Sequence, residues 1–210
     1  MKTLFRVFLG TVISLEIAGI LGAFPIASDF SWLGLAITTS FVWLALEYCQ
    51  MPTSVWALAC IGVVLDSGSS LLRLFSQIPY WDRPVHTFGG FASAAAMLVL
   101  ALRALHHGHI RVRRRRLFLV AGVILGVSSA GFYYEVLEYL VDRFHYGSPS
   151  SLVSAYNTIE DQLFNTLGAV LLLAIYGCIE YFKPLRWNHE ENRPADRHRL
   201  SGGFSPNDPK

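Results

Sequence analysis

The chain has 210 residues, 53% of them apolar and only 15% charged, with a formal net charge of +2. An ordinary soluble domain of this size carries more charge than that, spread more evenly. Here several windows of about 20 residues, the length that crosses a hydrocarbon core of roughly 30 Å, hold almost no charge.

Six such windows run at 5–26, 31–49, 55–75, 84–106, 117–141 and 161–183, separated by short breaks rich in turn residues or charge. They predict an all-α polytopic membrane protein, a bundle of about six transmembrane helices over residues 1–183. The remainder, 184–210, is polar and has the composition of a disordered segment. The first window has the basic start and small residues of a secretory signal, but Glu16 sits inside its apolar run and the run is too long for a signal core, so a retained helix is expected. Cys49, Cys60 and Cys178 are too scattered for a metal pair or a disulfide framework and fit helix packing.

Alternating the windows across a membrane places three basic residues, Arg73, Arg83 and Arg143, on one side and the other 14 of the 17 on the opposite side. The positive-inside rule makes the basic side cytoplasmic, so both termini, the 106–117 loop and the tail are expected inside. The arginine run at 111–116 lies between two apolar windows, which makes it a topology determinant touching anionic lipid rather than a nucleic-acid site.

The acids are the informative residues, because an ionisable group in a bilayer costs at least a few kcal/mol on insertion scales and usually faces a partner or a cavity. Asp66 lies in the outer half of the third window. Asp82 and His86 open the fourth from outside, Glu135 and Glu138 lie toward the outer end of the fifth, and Asp161 and Asn165 are expected to open the sixth. Each pair is spaced i,i+3 or i,i+4 and therefore shares one helix face. Gly89, Gly90, Gly131 and Gly168 allow those faces to approach closely. A lone Asp at a helix mouth is usually a cap, but Glu135 and Glu138 lie inside an apolar aromatic helix, where a purely structural role is harder to sustain.

Carboxylates packed together need compensation, from a metal, protons, the outer arginines or a cationic substrate. With His86 as the one histidine clearly in the set, oxygen-favouring Mg, Mn or Ca is expected over Zn. The expected metal ligands are Asp82, His86, Glu135, Glu138 and Asp161. His86, Glu135 and Glu138 are the candidate catalytic groups, and Asp66, Arg83 and Asn165 the candidate substrate contacts.

The succession Asp82-x-x-x-His86-x-x-x-Gly90, Glu135-x-x-Glu138 and Asp161-x-x-x-Asn165-x-x-Gly168 resembles the uncharacterised YjdF-like inner-membrane family and, more distantly, VanZ-like proteins. VanZ-like chains usually have Lys where this chain has Arg83 and Gln where it has Glu138. The resemblance implies a role in the bacterial cell envelope, with membrane lipids or a lipid-linked molecule as partner. Three readings compete: a centre that binds or modifies a lipid-linked envelope substrate, a proton- or cation-coupled transporter, and an accessory protein whose acids pair with the outer arginines. Glu16 and Glu47 bear on the choice, because a transporter needs polar groups continuing toward the cytoplasm.

Overall fold

A computed structural model describes residues 1–20, 32–106, 115–145 and 155–182. Their contacts divide the chain into two units, Met1–Leu173 and Ala174–Lys210. The described helices are α1 (Lys2–Ile20), α2 (Trp32–Tyr48), α3 (Thr53–Leu71), α4 (Leu74–Gln77), α5 (Asp82–His106), α6 (Arg115–His145) and α7 (Ala155–Phe182). No strand occurs among the described residues. Helices α1, α3, α5, α6 and α7 each contain a segment long and apolar enough to span a membrane, and α2 is a shorter apolar helix of 17 residues. The chain is therefore a multi-pass helical membrane protein, as its apolar windows predict. Residues 21–31, residues 107–114 with the first part of the arginine run, residues 146–154 and the tail from 183 lie outside the described residues.

Two boundaries differ from the sequence expectation. The third window does not continue to residue 75: α3 stops at Leu71, and Arg73 adopts a left-handed conformation (φ 55°) that starts the single turn of α4. Pro79 and a second left-handed residue, Tyr80 (φ 64°), then turn the chain into α5. The sixth span opens early, because α7 begins at Ala155 rather than near Asp161. Asp161 therefore lies about 9 Å along the helix at 1.5 Å per residue, and does not cap its mouth.

At the end of the first unit formed by the start of α1 and α3 and the end of α2 and α5, packing is apolar and the charged groups Arg6, Glu47 and Arg103 are partnered. Leu9, Leu46, Met51, Val55, Trp56, Cys60 and Val63 form a buried cluster, closed by Ala95, Ala96, Val99 and Leu100 of α5. Helix α2 ends in a Schellman motif: Met51 N–H donates to the Leu46 carbonyl and Gln50 N–H to that of Glu47, with Gln50 left-handed (φ 50°). A non-glycine residue there costs about 1–2 kcal/mol. Arg103, in the last turn of α5, offsets this by donating to the carbonyls of Cys49 (2.5 Å) and Gln50 (2.9 Å), which the helix leaves without intrahelical donors. Nearby, Arg6 holds Glu47 through two hydrogen bonds of 2.8 and 2.6 Å.

The other end is built from three i,i+4 stripes. On α5 the stripe is His86, Gly90, Ala94 and Leu98; on α6 it is Val123, Val127, Gly131 and Glu135; on α7 it is Asp161, Asn165 and Ala169. Apart from half-buried His86, every one of these residues is buried. Side chains four apart lie above one another on a helix, so each stripe is a single inward face. Glycine sets how closely the faces meet. A Cβ at Gly90 would collide with the Asn165 backbone and one at Gly168 with the Thr87 carbonyl, so α5 and α7 cross backbone to backbone. The outward faces carry Phe41, Leu125, Phe132, Leu163 and Ile175, all at least half exposed, as lipid contact requires.

Candidate metal centre

Each stripe ends in one ionisable residue, and the crossing of the helices brings the three together. His86, Glu135 and Asp161 each offer a ligand atom, and those atoms all lie within 4.8 Å of one another. His86 Nε2 is 3.4 Å from Asp161 Oδ1. Glu135 is 5% exposed and Asp161 2%, burial that carboxylates in an apolar surrounding tolerate only with a counter-charge or a bound proton.

One oxygen of each carboxylate is engaged by a neutral neighbour. Thr158 Oγ1 donates to Glu135 Oε2 at 3.3 Å, and Asn157 Nδ2 donates to Asp161 Oδ2 at 2.8 Å. The other oxygens, Glu135 Oε1 and Asp161 Oδ1, are buried and accept no hydrogen bond among the described residues. Neither carboxylate is paired with a Lys or Arg among the described residues; Arg83 is ion-paired with Glu160 instead. His86 lies beside the Asn165 side chain and meets the Tyr134 ring edge-on at 6.4 Å.

This donor set fits a divalent cation. Two carboxylates supply two negative charges that a divalent ion would cancel, and an imidazole nitrogen completes a three-residue face from three helices. The engaged oxygens orient the carboxylates and the orphaned ones remain available to a ligand, the division of labour seen where outer partners position metal ligands.

The structure brings His86, Glu135, Asp161 and Asn165 together and separates other candidates from them. Asp82 is the first residue of α5, its Oδ1 accepting the Arg83 N–H at 3.0 Å, and stands close enough for its charge to act on His86 and Asp161 without joining the three-residue group. Asp66 acts on Glu16 of α1. Arg83 lies 4.0 Å above the Tyr80 ring and 5.5 Å from that of Phe164, lining a groove of about 270 Å³ with Ile159, Glu160, Leu163 and Phe164. The side chain of Glu138 lies outside the described residues.

Sequence reasoning passed over Asn157 and Thr158. With α7 expected to begin near Asp161, both would fall in a loop; in the helix Asn157 is i−4 to Asp161, a spacing that an earlier start would have exposed.

No curated protein and no solved structure matches the chain. One family model, described as predicted membrane protein (DUF2238), matches residues 5–180 and so runs from the first turns of α1 to the last turns of α7. The three stripes and the centre they form lie wholly within that match, and the chain belongs to this predicted membrane protein family.

Proposed function

We propose that the protein is a bacterial inner-membrane protein, both termini cytoplasmic, whose His86, Glu135 and Asp161 bind a divalent cation at a site open to the outer leaflet, where a lipid or lipid-linked envelope molecule is bound or modified. The convergence of one imidazole and two incompletely hydrogen-bonded buried carboxylates from three helices carries this reading. The basic-residue asymmetry supports the orientation. The likeness of Asp82-x-x-x-His86, Glu135-x-x-Glu138 and Asp161-x-x-x-Asn165 to the YjdF-like and VanZ-like patterns supports the envelope role.

In this reading Asp82 and Glu138 complete the ligand field from the next turns of α5 and α6, and Mg, Mn or Ca is favoured by the oxygen-rich set. The ion would supply Lewis acidity to a phosphoryl or carbonyl oxygen. Asn165 orients His86 and the bound group, and Arg83 attracts an anionic headgroup at the groove mouth. Asp66 is too closely tied to Glu16 to be central, and it stays in the reading only as a distant substrate contact.

The test is metal analysis of protein purified without chelators. About one divalent ion per chain is expected, falling at least tenfold in Asp161→Asn and His86→Ala with the fold retained. A metal-free wild type that binds none of Mg, Mn or Ca on addition would overturn the reading. A cation-coupled transporter is the second reading, and buried Glu16 in α1 favours it. Glu47 does not extend such a path, because it pairs with Arg6 at the opposite, half-exposed end.

A further inference from the structure

A second polar centre lies among the first three helices. Glu16 of α1 is 2% exposed, as is Thr39 of α2. Thr39 Oγ1 and Ser67 Oγ of α3 both donate to Glu16 Oε1 at 3.1 Å. The second oxygen, Oε2, is buried and has no hydrogen-bond partner among the described residues. Asp66, next to Ser67, is close enough for its charge to act on Glu16. Each of three helices thus contributes an oxygen-bearing side chain to one buried point.

Two donors to a single oxygen, with the other left bare, is an uneven arrangement for a structural hydrogen-bond network. Purely structural buried groups are satisfied as fully as geometry allows. No basic residue is paired with Glu16 among the described residues, so its charge is balanced by neither Lys nor Arg there. Each hydroxyl keeps lone pairs after donating its proton, and Oε2 keeps both of its own. The donors are oxygens only, which selects a hard cation and excludes the nitrogen- and sulfur-seeking metals. One carboxylate in direct contact, supported by neutral hydroxyls, matches a single positive charge; Ca²⁺ sites gather six to eight oxygens, several of them carboxylate.

We propose that Glu16, Thr39 and Ser67, with Asp66 beside them, form a binding site for a monovalent alkali cation, sodium, distinct from the His86, Glu135 and Asp161 centre. Oε2 and the two hydroxyl oxygens are its ligands, and Asp66 adds to the negative field that draws the ion in. Because the ligands come from α1, α2 and α3, occupancy ties these helices together and stabilises the folded state by mass action.

Thermal unfolding of the full-length protein in detergent tests this, comparing NaCl, KCl and choline chloride at equal ionic strength with a chelator present to remove divalent ions. Sodium is expected to raise the Tm saturably by about 5 °C over choline, with potassium giving less. Glu16→Gln removes the sodium response, whereas Glu135→Gln keeps it. Binding of radioactive sodium to the wild type supplies a readout that needs no variant, with about one competable ion per chain expected. The inference is overturned by no sodium binding, which would leave Glu16 holding only a proton, or by a sodium response that survives in Glu16→Gln. Neither result bears on divalent binding at His86, so the two centres succeed or fail separately.

Discussion

The two ends of the first unit solve the same problem in opposite ways. Around Trp56 the helices bury only apolar side chains, and the charged groups are held at the margin: Arg6 on Glu47, Arg103 on the carbonyls that close α2. Around His86 the same kind of helix packing buries carboxylates and leaves Glu135 Oε1 and Asp161 Oδ1 without donors. A protein selected for stability alone would use the first arrangement throughout, since replacing buried ionic groups by well-packed apolar ones is often neutral or stabilising. The difference is what supports placing the proposed centre at the His86 end.

Breaking the close crossing at the His86 end should have the largest effect. Gly168→Val places branched carbons where the Thr87 carbonyl and Phe91 nitrogen lie, and backbone cannot move aside as a side-chain tip can. A loss of about 3 kcal/mol or more is expected, read as loss of monodisperse protein in size-exclusion chromatography. Trp56→Ala comes next. It empties the largest fully buried side chain from the apolar end, at a cost of about 3–5 kcal/mol, but the protein that remains folded should bind metal as the wild type does. Impaired metal binding in that folded fraction would show that the two ends are not independent.

Charge removal sharpens the contrast. Glu135→Gln should leave the metal-free Tm unchanged or raised, because it removes a buried uncompensated charge while keeping the volume, yet it should lower metal occupancy at least tenfold. Glu47→Gln at the opposite end should change stability by less than about 1 kcal/mol, since its partner Arg6 is half-exposed, and should leave metal binding alone. Acidification from pH 7.5 to 5 should release the ion in equilibrium dialysis, because carboxylates and imidazole ligate only when deprotonated and protons compete for the same atoms. Occupancy that rises on acidification would contradict this ligand set.

Much of the fold was legible because lipid imposes a length and a polarity on every span, and those are properties of local sequence. The pairing of His86, Glu135 and Asp161 was legible for a related reason: each sits at i,i+4 from small or polar residues that mark an inward face. Helix breaks were less so. Leu71 to Phe75 is apolar apart from Arg73, and only the left-handed backbone at that residue shows that α3 has ended. Asp66 shares the depth expected of the outer cluster, but which neighbour it meets depends on how α3 is rotated against α1, and no local pattern records that. The same holds for Thr158, whose contact with Glu135 follows from the crossing of α6 and α7 rather than from any spacing along the chain.

Pulsed electron paramagnetic resonance on protein loaded with Mn²⁺ reads the central claim most directly, because it reports which nuclei touch the ion. If His86, Glu135 and Asp161 hold a divalent cation, the wild type should bind about one Mn²⁺ per chain and show the coupling of a single directly bound imidazole nitrogen. His86→Ala should bind more weakly and lose that coupling while keeping the wild-type helical content. Bound Mn²⁺ whose nitrogen coupling persists in His86→Ala, or a wild type that binds no Mn²⁺ at all, would contradict the account.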